Sequence, residues 1–134
     1  MDENLKGYLL DTNILIYHLK GDIPQREIEK IESILKHSFI ISVITKIEFL
    51  GWRKHTVDGF LKAQEFLCHA AIIPVDSELA DLAIELRRNN NIKLADALIA
   101  ATALLNNLVL VTGNEEDFKA IEELEIYNPL FQAF

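Results

Sequence analysis

The sequence predicts a three-layer α/β/α domain on a mainly parallel sheet of four to five strands. Three observations carry this expectation. Short apolar runs, GYLL, SFIISVI, AIIPV and LVLVT, recur along the chain. Stretches of helical period separate them, and such alternation calls for crossover connections, which make the strands parallel. The runs are apolar throughout rather than alternating, as strands covered on both faces are. A single domain is expected to span residues 1–134, long enough to bury a core without a disulfide or a structural metal.

Taken in order, GYLL (7–10) reads as a buried strand ending in a turn at Asp11-Thr12-Asn13. Residues 24–36 open on Pro24, a favoured first helical residue, and repeat Ile28, Ile31 and Leu35 at helical spacing. SFIISVI (38–44) is β-branched and apolar, hence a strand. Ser42, Thr45 and Glu48 follow at a helix start, with Thr45 and Glu48 matching the capping-box pattern. Phe60, Leu61, Phe66 and Leu67 mark an amphipathic helix over 57–70. AIIPV (71–75) is a third strand. Asp76 and Ser77 cap a helix whose apolar face is Leu79, Leu82, Ala83 and Leu86, ending at Asn89-Asn90-Asn91. An alanine-rich helix over 94–106 places Leu94, Leu98, Ala101 and Leu105 on one side. LVLVT (108–112) is a strand, Gly113-Asn114 a turn, and LEIYN (124–128) an edge strand.

Composition narrows the functional classes. Hydrophobic residues make up 50% and charged residues 25%, which excludes a disordered chain. The one cysteine, Cys68, excludes an internal disulfide and a cysteine-built zinc site, and is expected on a core-facing helix position. Such usage suits a reducing, cytoplasmic location. The apolar runs fall short of the roughly 20 residues a membrane helix needs, so no membrane association is expected. The polar start MDENLKG does not read as a signal peptide. The net charge is −8, and residues 76–134 hold 11 acids against 4 bases. That balance opposes broad electrostatic adhesion to nucleic acid and favours a concentrated acidic pocket.

In open parallel sheets, ligands bind just beyond the carboxyl ends of the strands. Four acids fall there or on adjacent helix starts: Asp11 after the first strand, Glu48 after the second, Asp96 in the first turn of the alanine-rich helix, and Asp117 five residues past Thr112. Singly, each has a plain structural role. Asp11 serves a turn or cap, Glu48 completes a capping box, Asp96 complements a helix dipole, and Asp117 belongs to a solvated acidic run. Jointly, converging carboxylates repel unless a cation sits among them. Oxygen-only donors suit Mg²⁺ or Mn²⁺ rather than zinc. Such a site activates water and stabilises the leaving oxygen in phosphodiester cleavage.

Four blocks carry a resemblance: YLLDTNILIYHL, SVITKIEFL, KLADALIAATAL and LVTGNEEDF. In order and spacing they resemble the motifs of PIN-domain ribonucleases, above all the small VapC-like toxins of prokaryotic toxin–antitoxin pairs. The resemblance covers nearly the whole chain and implies a PIN-like fold. It implies a Mg²⁺- or Mn²⁺-dependent endoribonuclease acting on RNA and restrained by a small antitoxin. The family's acids carry over to Asp11, Glu48, Asp96 and Asp117, the last preceding Phe118; nearer the strand, where many relatives show an acid, stands Asn114. Thr12, Asn13, Thr112 and Asn114 are candidates for hydrogen bonds that orient these acids, Thr12 and Asn13 equally for helix caps.

Arg87, Arg88 and Lys93 are candidate phosphate contacts, although a helix C-terminus explains the arginines equally well. Trp52, Arg53 and Lys54 form an aromatic–basic cluster suited to RNA, to a partner or to a plain helix end. Phe49, Trp52 and Phe60 are candidate anchors for an antitoxin helix, Phe49 and Phe60 equally core residues. Apolar helix faces permit a homodimer. The alternative is a PIN-like module that binds RNA or protein without catalysis. A dehalogenase-like phosphoryl-transfer site wants a second aspartate where this chain has Asn13.

Overall fold

The computed structural model describes residues 6–131; the acidic residues 1–5 and residues 132–134 lie outside the described part. The elements run β1 (Tyr8–Leu10), α1 (Thr12–Lys20), α2 (Gln25–His37), β2 (Ile40–Ser42), α3 (Val43–Leu50), α4 (Val57–Leu67), β3 (Ala71–Ile73), α5 (Ser77–Asn89), α6 (Leu94–Leu105), β4 (Val109–Val111) and β5 (Ile126–Tyr127), with a 3₁₀ turn over Glu115–Asp117. The sheet has five strands in the order β3-β2-β1-β4-β5, and every pair is parallel. β5 lies at one edge, as LEIYN predicts.

The pleat divides the core in two. Leu9 and Leu110 face Leu79, Ala83, Ala97, Ala100 and Phe118, the layer of α5 and α6. Leu10, Ile41 and Val111 face Ile14, Leu15, Ile31, Phe49 and Leu67, the layer of α1 to α4. Successive strand residues thus feed opposite cores, which is why the runs read as continuous hydrophobics. Three layers result, as expected.

The local chemistry departs from the sequence reading in several places. Asp11-Thr12-Asn13 does not form a free turn. Asp11 is the N-cap of α1, its side chain accepting from the Thr12 N–H, and Gly21 ends that helix in the left-handed region at φ 74°. α1 eludes the periodicity because Ile16, Tyr17 and Leu19 are exposed, so its apolar face is blurred.

β2 is shorter than SFIISVI. The Ser42 hydroxyl accepts from the Ile44 N–H at 3.0 Å, so the helix begins while the sequence is still β-branched. Ser42, not Thr45, is therefore the cap. Thr45 is buried inside α3, its hydroxyl bonded to no other group among the described residues. Asp76 does cap α5, accepting from the Leu79 N–H at 2.9 Å.

On α6 the buried stripe is Ala97, Ala100, Ala101 and Ala103 with Ile99, while Leu94 and Leu105 are exposed. Small side chains let α6 approach the sheet and α5 closely. Cys68 is exposed rather than core-facing. No helix among the described residues is long and apolar enough to cross a membrane.

Phe118 is wholly buried in the core beside α6 and anchors the chain just after Asp117. Phe118→Ala should destabilise the fold by about 3–5 kcal/mol, since a large cavity opens under a short turn. Urea unfolding followed by circular dichroism checks this: a lower midpoint with an unchanged slope is the expected result.

Candidate active site at the carboxyl edge of the sheet

β1 is the topological switch point. The chain leaves it toward β2 and β3 on one side and returns to β4 on the other. Ligand clefts open beyond the strand ends at such points. Here the ends of β1 and β4 are joined twice. The Asp11 N–H donates to the Val111 carbonyl at 2.9 Å, and the Thr112 hydroxyl donates to Asp11 Oδ2 at 2.8 Å. Asp11 Oδ1 accepts from the Thr12 N–H at 2.8 Å. Asp11 is only 6% exposed, so its carboxylate is fixed by two donors in a largely dry place.

The surrounding polar residues hold this arrangement. The Thr12 hydroxyl donates to Glu48 Oε1 at 2.7 Å, tying α1 to α3. Asn13 Oδ1 accepts from the Gly113 N–H at 3.2 Å, tying α1 to the loop after β4. The Asn114 N–H donates to the Thr112 hydroxyl at 3.0 Å, which aims the Thr112 proton at Asp11. Asn114 thus acts through its backbone. The N–H groups of Gly113 and Asn114 carry no signal in residue type, so their part escapes a reading of side chains. Ser42, fully buried, was legible only as one member of a helix start, although its hydroxyl sets where α3 and Glu48 begin.

The acids sense one another. Burial pushes the Asp11 carboxyl up from 3.8 to about 6, opposed by its bonds to Thr112 and Thr12 and reinforced by the charges of Glu48 and Asp96. Asp96 is also raised, first by partial burial, then by the charge of Asp117 and, more weakly, Glu48, with Lys93 opposing. Glu48 and Asp117 are exposed at the rim. The four acids therefore share one electrostatic neighbourhood, with Asp11 at its floor. None of them belongs to the four ion pairs among the described residues, which are Lys6–Glu125, Arg26–Glu27, Lys62–Asp58 and Lys119–Glu116.

Among the described residues, no three acidic, histidine or cysteine side chains close into a metal cage. The donor set is nonetheless all oxygen, and among the described residues none of its acids is in an ion pair. That fits Mg²⁺, which keeps several waters and takes one or two carboxylates together with substrate phosphate oxygens rather than a full protein cage. Arg87, Lys93, Asp96 and Asp117 line a common recess, whereas Arg88 is not part of its lining. A larger cavity of about 460 Å³ lies elsewhere, between α5, α6 and residues 120–123, and none of the four acids lines it.

Known proteins share this arrangement of elements. Residues 8–124 match the PIN domain. The chain is 29% identical over 120 residues to Ribonuclease VapC10 of Mycobacterium tuberculosis, covering 87% of this chain and 90% of that protein. Among solved structures, VapBC2 from Rickettsia felis bound to a promoter DNA fragment matches at 28% identity with a TM-score of 0.74, covering 90% of this chain and 97% of that one. A toxin–antitoxin complex from Klebsiella pneumoniae matches at 30% identity with a TM-score of 0.74, covering 94% and 100%. The chain belongs to the PIN-domain family. Within that family its likeness is to the toxin side of VapBC-type pairs.

The burial of Asp11 makes metal-free stability depend on pH. Its carboxyl is raised in the folded chain, so it favours folding below 3.8, and this benefit is lost as pH rises to about 6. The span corresponds to about 3 kcal/mol. In EDTA, Asp11→Asn should gain melting temperature relative to the natural chain between pH 4 and pH 6 and hold a constant difference above. A difference that does not vary with pH would show that Asp11 is well solvated.

Proposed function

We propose that the chain is a Mg²⁺- or Mn²⁺-dependent endoribonuclease and the toxin of a toxin–antitoxin pair. One observation carries the proposal. A buried carboxylate, Asp11, is locked by Thr112 and the Thr12 N–H at the switch point, where Glu48 and Asp96 add repulsion and no ion pair among the described residues relieves it. A merely structural aspartate at this burial would find an ion partner or a third donor, because an unpaired buried charge is costly. The ribonuclease name of the Mycobacterium relative supports the choice of reaction.

Each residue then has a task. Asp11 and Asp96 supply the inner carboxylate oxygens, and Glu48 and Asp117 the outer ones. Bound there, a divalent ion would supply Lewis acidity to the phosphate and would lower the pKa of a water. Thr112 keeps Asp11 Oδ2 in one orientation, Thr12 keeps Glu48 turned inward from α3, and Asn13 clamps the loop that carries Thr112. The second carboxylate oxygen of Asp96 accepts a hydrogen bond from the attacking water and orients it. The water oxygen bonds to phosphorus as the bond to the leaving oxygen breaks; the water's proton passes to solvent, and the leaving oxygen takes up a proton from solvent. Unpaired RNA is the substrate class, because a scissile phosphate in a loop or single strand enters such a cleft more readily than one within a duplex.

Cleavage of a single-stranded oligoribonucleotide should vanish in EDTA and return with Mg²⁺ or Mn²⁺. Asp96→Asn should reduce it to background and sharply weaken Mn²⁺ binding by calorimetry. Thr112→Val, which keeps the shape but loses the donor to Asp11, should reduce cleavage by about 10–100-fold. Activity surviving both EDTA and Asp11→Asn would refute the mechanism. Absent cleavage and absent metal binding in the natural chain would leave a binding module.

The solved Rickettsia and Klebsiella neighbours are toxin–antitoxin complexes, which supports an antitoxin partner for this chain. Of the three anchors expected from the sequence, Phe49 is core and Phe60 is partly buried, while Trp52 is exposed. Ile47, Trp52, Val57 and Leu61 offer apolar surface along α3 and α4. An antitoxin helix laid there would bring a basic side chain to the unpaired acids. Expression of the chain alone should arrest growth, Asp96→Asn should not, and co-expression of a neighbouring reading frame should relieve the arrest. No growth effect and no co-purifying small protein would argue for a nuclease outside a toxin pair.

A further inference from the structure

A chain of net charge −8 that cuts a polyanion must attract its substrate locally. The recess beside Asp96 shows where. It holds about 350 Å³, toward the small end of the roughly 300–1,000 Å³ of ligand pockets. Arg87 comes from the last turn of α5, Asn91 and Lys93 from the connection to α6, and Asp96 and Asp117 from the acid neighbourhood. The recess therefore opens directly onto the site described above. Its two cations take part in none of the ion pairs among the described residues, although acids stand around them. Lys93 is near enough to Asp96 for its charge to be felt there.

Resting on the nuclease reading, we propose that Arg87 and Lys93 form a seat for the RNA phosphate next to the scissile one, with that nucleotide lying in the recess. The guanidinium of Arg87 offers a planar fork that takes two phosphate oxygens, and the Lys93 ammonium adds a compact charge from the other side of the loop. Asn91 adds an amide able to donate to a ribose or base oxygen. Divalent metal and recess divide the labour: the acids with their ion engage the phosphate that reacts, and the cations hold the one beside it. Arg87 and Lys93 are thus positioning residues, and Arg88, outside the lining, is not.

The test separates seat from chemistry. Binding of a labelled ten-nucleotide single-stranded RNA is measured against salt in Asp11→Asn protein, which holds RNA without cutting it. Adding Arg87→Ala or Lys93→Ala should each weaken binding about tenfold. Each should lower the slope of log affinity against log salt by about 0.7. In the chain with Asp11 intact, the same variants should raise KM about tenfold and leave kcat within about twofold. Mn²⁺ affinity should stay unchanged. Unaltered salt slopes overturn the seat. So does an equal loss in Arg88→Ala, which would indicate a diffuse field, or a loss of Mn²⁺ affinity that matches the loss of RNA, which would mean the cations act through Asp96. A chain that cleaves no RNA refutes the nuclease reading instead, and the binding series still reports on the seat.

Discussion

The hydrogen bond from Thr112 to Asp11 joins the two central strands at the point where the chain reverses its direction across the sheet. It fixes an anion where water is scarce. Every other feature of the cleft answers to that placement. Asp11 caps α1, so the helix cannot shift without moving the carboxylate. Thr112 takes its own orientation from the Asn114 N–H, so the loop after β4 is committed as well. The cost is a raised carboxyl pKa, and the compensation is a charge already desolvated and aimed before any ligand arrives. Preorganised polar groups of this kind need no reorganisation when charge develops in a reaction.

The same economy explains why α1 and α3 start where they do. Asp11 and Ser42 end adjacent strands with a side-chain acceptor for the following helix. The two helices therefore leave the sheet side by side, and Thr12 meets Glu48 across them. Asp96 arrives from the opposite layer, in the first turn of α6, where the helix dipole favours an acid. Three polypeptide segments and both helical layers thus deliver acids to one edge. Small residues along α6 make that approach possible, because a bulky stripe would hold its first turn away from β1 and β4.

Much of this was legible in the residues. GYLL and LVLVT stood out as continuous apolar runs, the Leu79–Leu86 face had a clear helical period, and Asp76 was a true cap. Asp11 and Asp96 stood out because acids beside strand ends or in an apolar helix need a reason. Other parts were illegible for physical reasons. α1 carries apolar residues on its exposed side, which erases the amphipathic period. Val43 and Ile44 favour a strand by type, yet one serine hydroxyl starts the helix before them. Thr45 and Glu48 fit a capping box that the backbone does not form, since the helix had begun three residues earlier. The clamps from Gly113 and Asn114 use backbone N–H groups, which no residue type announces.

Charge limits what the proposed nuclease cleft could hold. Acids concentrated at the strand ends repel a phosphate chain, and the excess of acids beyond residue 75 repels it from afar. On the proposed reading, a divalent ion would reverse the sign only within the cleft, where both carboxylates and phosphate oxygens would gain from it. Under the proposed seat, attraction beyond that reach would fall to cations close to the acids yet outside the ion pairs among the described residues, as Arg87 and Lys93 are. Recognition by the proposed seat would be short-ranged, holding a strand only once its backbone had entered between α6 and the Glu115–Asp117 turn. A weak distant field with a strong local seat would let the chain coexist with abundant structured RNA and act where a strand is unpaired. On the same reading the cleft would be easy to silence, because a single inserted cation would satisfy Asp11 and Asp96 without competing against a wide basic surface.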